Sequence, residues 1–332
     1  MLRLRSLSLA VSLTLIACVS VSLAAGHKHK TFTDPSKAGE SFKFQGEYAG
    51  TLSLPDGDEK YGAQVIALGD DKYRLVGYHG GLPGAGWDKS EKIVAEGTAA
   101  DGAVTFALDD QPAKVVLKGG LLTISEEFGD EIGTMKKVTR KSPTMGAKPP
   151  KDAVVLFDGT TAENFKNGRI VENKLLAEGV TSKQQFGDHH LHLEFRTPYM
   201  PTARGQARGN SGCYVQGRYE VQILDSFGLE GKDNECGGIY KIAVPAVNMC
   251  LPPLSWQTYD IDFTAPKFEN GKKVKNARIT IVHNGVTIHN DIELPSHTAG
   301  GISAEKSGPG PVYLQNHGNP VRFRNIWVKP KK

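Results

Sequence analysis

The chain has 332 residues and is 39% hydrophobic, with 38 Gly and 18 Pro, which fits turn-rich globular β structure and leaves room for two domains. Its formal charge of +4 falls to about +2 without the two leader arginines, and no basic run lies outside the termini, which argues against nucleic acid as a partner.

Residues 1–25 open with Arg3 and Arg5, run apolar from Leu7 to Leu23 and end in small residues before a charged stretch. This is the pattern of a cleaved export signal, so the expected location is secreted or periplasmic, with no membrane span. Leu15-Ile16-Ala17-Cys18 also fits a bacterial lipoprotein box, the alternative in which Cys18 carries a lipid anchor; the apolar sequence continuing past that cysteine favours plain cleavage. Cys213, Cys236 and Cys250 remain after export, allowing at most one internal disulfide. Cys236 with Cys250 would close a short loop, and the pairing stays open.

Residues 31–140 carry alternating runs, GAQVIAL, KYRLVGYH, EKIVAEGTAADGAVTFAL and AKVVLKGGLLTISEE, that turn at Gly-Asp or Gly-Gly pairs. They predict a small antiparallel β domain without a helix of useful length. Gly80–Trp87 has the glycines of a phosphate loop but neither the Lys-Ser/Thr nor a following helix, so a long turn is expected. Tyr78, His79 and Trp87 suit sugar stacking, with a packed loop as the preferred reading.

Residues 141–150, KSPTMGAKPP, lack apolar periodicity and read as a Pro-rich linker. Beyond it, HLHLEFR, GCYVQ, YEVQILD, WQTYDIDF, ARITIVH, VTIHNDIEL, PVYLQNHG and VRFRNIWVK recur at sandwich spacing, and Asn284-Gly285 marks a hairpin. Two packed sheets would bury Leu191, Leu193, Phe195, Val221 and Ile223 and leave a polar, curved outer face. The fold class is therefore all-β, a C-terminal jelly-roll sandwich over residues 151–332 plus the small N-terminal domain.

Period 2 places Glu220 and Gln222 on one strand face and Val221 and Ile223 on the other, after an Asn210-Ser211-Gly212 turn. It likewise puts Tyr313, Gln315 and His317 together opposite Val312 and Leu314. These two polar strands read as one ligand groove.

AVVLFDGTTAENFKNG, FGDHHLHLEFRTP, Asn210-Ser211-Gly212, YEVQILDSFG, the run from Gly238 through Trp256 and LQNHGNPVRFRNIWVKP resemble, in that order, the 3-keto-disaccharide hydrolase domain family. The resemblance spans about residues 151–332 and implies a concanavalin-like jelly roll acting on glycosides already oxidised at C3. The segment PYMPTARGQARG ahead of Asn210 departs from the family, being longer and more basic than the short Gly-rich link expected there.

Sandwich glycosidases acting on unmodified sugars use two carboxylates about 5–5.5 Å apart for retention. The strand at 219–223 offers one, because Asp225 falls on the opposite face or at the strand end. A lone carboxylate suits a 3-keto sugar, whose ketone acidifies C2–H, so that one base removes that proton, the C1 leaving group departs and water adds to the enone. Glu220 is then the base, His317 the acid or enolate donor, and Arg196 or Asn210 the polariser. Glu194, Arg196, Asn210, Tyr214, Gln222, Asp225, Trp256 and Gln315 complete the candidate substrate contacts. Several have a structural alternative: Glu220 paired with Arg196 or Arg218, His317 capping a strand end, Asn210 serving a turn, Asp225 ending a strand, Glu194 and Arg196 in a solvated cross-strand pair, Trp256 in the core or at the rim.

His190 and His192 share a strand face, but without a third ligand they make a weak transition-metal site. Asp158, Asp225 or Asp233 would suit a structural calcium, so the cofactor is left unknown. The leading expectation is an exported enzyme cleaving 3-keto-glycosides. The alternative is a lectin-like, non-catalytic carbohydrate-binding groove, which would need amides and aromatics but no base facing an acid.

Overall fold

The computed structural model describes residues 29–108, 113–126 and 129–331; the leader and Cys18 lie outside this set. Eight strands, β1 (Gly46–Leu54), β2 (Gly57–Gly69), β3 (Lys72–His79), β4 (Ile93–Ala100), β5 (Ala103–Ala107), β6 (Ala113–Lys118), β7 (Leu121–Glu126) and β8 (Glu131–Val138), form a closed antiparallel barrel. β1 pairs with both β2 and β8, so no strand edge is left open. The middle of β2, Gly62 to Ala67, is buried on both faces. Ala63, Val65 and Ala67 fill the barrel, whereas Ile66, with Val76 and Tyr78 of β3, joins the core of the second region. That double burial is why GAQVIAL reads as an almost continuous apolar run.

Gly80–Trp87 is a packed loop. Tyr78 is buried and donates to Gln64 Oε1 at 2.7 Å, the Trp87 ring packs edge-on against it at 5.2 Å, and His79 sits between Glu59 and Asp88. Tyr78 therefore presents no face to a sugar.

The second region contains β9 (Val154–Phe157), β10 (Phe165–Lys166), β11 (Ile170–Val171), β12 (Leu175–Ala177), β13 (Val180–Phe186), β14 (His189–Arg196), β15 (Ser211–Val215) and β16 (Tyr219–Ile223). It continues with β17 (Gln257–Thr264), β18 (Lys267–Glu269), β19 (Lys272–Lys275), β20 (Ala277–His283), β21 (Val286–Leu294), β22 (Gly310–Leu314) and β23 (Arg322–Pro330). A five-stranded sheet runs β10-β13-β22-β15-β16, and an eight-stranded sheet runs β11-β12-β23-β14-β17-β20-β21 with β9 on β23. Leu191, Leu193, Phe195, Val221 and Ile223 are all in the shared core, giving the expected jelly-roll-like sandwich. Asn284 and Gly285 turn β20 into β21 with φ of 51° and 84°, the left-handed pair that a tight hairpin requires.

No sheet among the described residues mixes strands of the barrel and the sandwich. The connection between them is not a free spacer. Ser142 Oγ lies 2.6 Å from Thr258 Oγ1, Thr144 Oγ1 donates to Asp260 Oδ2 at 2.7 Å, and Gly146 N donates to Glu194 Oε1 at 2.6 Å. The polar outer face of the eight-stranded sheet thus holds residues 142–147 as a strap, which adds to the partners that Glu194 and Asp260 already have and satisfies the buried Thr258 hydroxyl. Cys213, Cys236 and Cys250 are buried free thiols, Cys236 Sγ lying 3.2 Å from the Tyr259 hydroxyl. No helix among the described residues is long and apolar enough to cross a membrane.

Candidate active site

β15 and β16 form a hairpin in which Gly212 lies opposite Gln222 and Tyr214 opposite Glu220. Because Val221 and Ile223 face the core, Glu220 and Gln222 stand on the outer face of the five-stranded sheet. β22 pairs with β15 on the other side, and beyond it Gln315 N donates to Gly212 O at 2.9 Å while Ser211 Oγ donates to Gln315 O at 2.8 Å. These bonds carry Gln315 and His317 to the same place. Glu220, Gln222, Asn210, Tyr214, Gln315 and His317 line one pocket of about 190 Å³. A cavity of that size lies below the roughly 300–1,000 Å³ of drug-sized sites and suits a single sugar ring.

Glu220 is 4% exposed, and burial pushes its carboxyl up to about 7, the nearby Tyr214 hydroxyl pulling it back only in part. Its own N–H donates to Thr298 Oγ1 at 2.9 Å, which anchors the strand beneath it. Tyr214 donates to Ala299 O at 3.0 Å and accepts from Gln315 Nε2 at 3.2 Å; burial and the Glu220 charge raise its own value, so it stays protonated. Gly212 leaves the room the acid occupies, since a Cβ there would meet Glu220 Oε1 at 2.2 Å. Gly300 does the same for Tyr214, with the hydroxyl 2.5 Å from where a Cβ would stand. His317 is exposed at the rim.

Gln206, Tyr240, Ala299 and Gly300 also line the pocket and carried no usable period in the sequence. Gln206 lies in the departing segment PYMPTARGQARG, which was the one available signal. Its Nε2 donates to Asn234 O at 2.8 Å and its Oε1 accepts from Asn210 Nδ2 at 3.1 Å.

Four expected contacts lie elsewhere. β14 belongs to the eight-stranded sheet, so Glu194 and Arg196 project from the opposite side of the sandwich. Glu194 is buried beneath the strap; burial raises its carboxyl, but His192, Asn325, Gly146 N and Arg324 bond it and together hold it at about 2. Arg196 donates to Glu172 at 2.7 Å, and the guanidinia of Arg196 and Arg324 pack on the Trp256 ring, 5.1 and 4.0 Å from its centroid. Neither polarises a ligand in this pocket, and Trp256, packed with these arginines, is not part of its lining. Asp225, one residue past the alternation, forms a buried pair with Arg208 Nε at 2.6 Å. The imidazoles are likewise engaged: His192 Nδ1 meets Asp260 Oδ1 at 2.6 Å, and His190 Nδ1 meets Asp262 at 3.3 Å. Asp158 accepts from Thr160. Among the described residues no group of three or more His, Cys, Asp or Glu is arranged to hold a metal ion.

Residues 152–329 match the family of 3-keto-alpha-glucoside-1,2-lyase-like domains. The chain belongs to that family. All the pocket residues fall inside the matched stretch of this lyase-like domain, and the barrel falls outside it. Among solved structures, the domain is similar to a Parabacteroides distasonis protein described as a "putative glycosyl hydrolase". The two are 33% identical with a TM-score of 0.51, over 55% of this chain and 85% of that one. A second protein of that bacterium, described in the same words, is 18% identical with a TM-score of 0.40, over 55% and 95%. No curated protein matches.

Proposed function

We propose that the exported chain cleaves the glycosidic bond of 3-keto-glycosides by removing the C2 proton. The observation that supports this most is a single buried carboxylate, Glu220, poised near neutrality in a small pocket whose other polar side chains, among the described residues, are amides, tyrosines and one histidine. Displacement at C1 of an unmodified sugar calls for a second carboxylate. Abstraction beside a ketone calls for one base with a pKa near the working pH.

In this reading Glu220 takes the C2 proton and the electron pair moves into the C3 ketone to give an enolate. The Gln315 amide, with one N–H on the Tyr214 hydroxyl and a second to give, donates to the enolate oxygen; Asn210 spends its amide N–H groups on Gln206, and Arg196 is set aside because it lies on the other sheet. The enolate then re-forms the ketone as the C1–O bond breaks, and His317 protonates the leaving oxygen. Water adds its hydroxyl at C1 while its proton passes to His317, restoring that residue, and C2 regains a proton from Glu220, completing net hydrolysis; release before this step gives the enone.

The amide-rich lining supports a lectin-like groove as the second reading. A sugar-holding groove gains nothing from burying an acid, and that favours the enzyme. Incubating purified protein with a C3-oxidised disaccharide and with its unoxidised parent, followed by mass spectrometry, decides between them. Cleavage of the oxidised sugar alone is expected, and equal cleavage of the parent would overturn the keto-dependent route.

A further inference from the structure

The departing segment does more than lengthen a loop. Tyr199 belongs to the barrel's core, where it packs edge-on to Phe42 at 5.0 Å, bonds Ser41 Oγ at 2.9 Å and exchanges backbone hydrogen bonds with Phe32. Five residues on, Arg204 and Arg208 bracket the 3-10 turn Gly205–Ala207 and grip consecutive carbonyls at the end of β2. Arg204 Nη2 donates to Leu68 O, and Arg208 Nη1 to Ala67 O at 3.3 Å. Arg204 Nη1 also ties back to Pro201 O and Ala203 O, and Arg208 is fixed by the buried Asp225. Ile66, the outward residue of β2, fills the space above Gly228, where a Cβ would meet its Cδ1 at 2.4 Å.

Gln206 stands between the two arginines and faces the other way, into the pocket beside Glu220. One N–H of its amide goes to Asn234 O and its carbonyl oxygen already accepts from Asn210 and Gln222, while its second N–H has no acceptor among the described residues, so the group can donate to a sugar hydroxyl.

We propose that the barrel is the scaffold for one wall of the pocket, and that Gln206, presented from it, is a substrate-binding residue that determines specificity by recognising a hydroxyl of the sugar ring. This rests on the sugar-cleaving reading of the pocket. It also gives the barrel a task, because a wall held at Tyr199, Arg204 and Arg208 needs no ordering when the sugar enters.

The test uses the full-length protein and the variants Arg204→Ala, Arg204→Lys and Gln206→Ala. Hydrogen exchange over residues 204–209 is measured beside kcat and KM for a C3-oxidised disaccharide. Arg204 lies outside the pocket lining, yet Arg204→Ala is expected to speed exchange in that segment and to raise KM by roughly 3–10-fold, the loss of about one neutral hydrogen bond, with kcat within about twofold. Arg204→Lys, which keeps a donor for Leu68 O, should recover most of both. Gln206→Ala should raise KM alike while leaving exchange at Tyr199 unchanged. Unchanged KM in both alanine variants, or unchanged exchange in Arg204→Ala, overturns the proposal. A wild type that neither binds nor cleaves the oxidised sugar instead sinks the sugar reading, and Gln206's role with it; exchange in Arg204→Ala then still decides the barrel's part.

Discussion

Glu220 and Gln222 stand two residues apart on one face of β16, and the Gln222 amide lies 2.8 Å from Glu220 Oε1 when its nitrogen is turned to that oxygen. Turned the other way, the same nitrogen reaches Gln206 Oε1 at 3.0 Å and Asn210 Oδ1 at 3.4 Å, and its carbonyl then needs a proton on Glu220. The amide can therefore follow the base through both protonation states. Glu220→Gln preserves the shape and removes the basicity, so sugar binding should survive and turnover should fall by roughly 10²–10⁴-fold. In deuterated water the wild type should place deuterium at C2 to the extent that the Glu220 proton exchanges with solvent, and a substrate deuterated at C2 should turn over more slowly; an unlabelled product together with no such slowing would rule out abstraction there.

The pH profile follows from the same group. Glu220 must be ionised to act as base, so kcat/KM should rise about tenfold per pH unit up to about 7 and then level. A flat profile between pH 5 and 8 would remove Glu220 from that role.

Stability should show the opposite trend. Between the ordinary 4.5 and about 7 the folded chain holds a proton that the unfolded chain has released, so this group's contribution falls as pH rises through that window. Glu220→Gln should thus be more stable than wild type at pH 8, by up to roughly 3 kcal/mol, and nearly equal at pH 4. Thermal unfolding at both pH values checks the sign.

Gly212 has an ordinary strand conformation that alanine can adopt, but its Cβ would stand 2.2 Å from Glu220 Oε1. Gly212→Ala should fold, displace the carboxylate and lower kcat by at least about tenfold. Circular dichroism matching wild type beside near-normal kcat would show that the acid's position is not critical.

Asp225 and Glu194 should behave as structural residues. Asp225→Ala leaves Arg208 buried without its partner and should lower stability by about 3–5 kcal/mol. Glu194→Gln weakens the seat of the strap, and because Glu194 is held at about 2, its contribution should vanish as pH falls from 4.5 toward that value. In Glu194→Gln, KM should stay within about twofold of wild type, whereas a large rise in KM would return Glu194 to the binding surface.

Alternation in the amino-acid sequence was sufficient to separate Glu220 and Gln222 from Val221 and Ile223, to place Gln315 and His317 with them, and to locate the Asn284-Gly285 hairpin, because side-chain direction in a strand is a local property with period 2. The same period made Glu194 and Arg196 look equivalent to Glu220 and Gln222. Which sheet a strand joins is set by distant pairing, and only the tertiary structure placed β14 in the eight-stranded sheet under the 142–147 strap and β16 in the five-stranded one. Gln206, Tyr240 and Gly300 reach the pocket from loops whose course depends on what they pack against, Gln206 through the barrel itself, and no local pattern encodes such contacts.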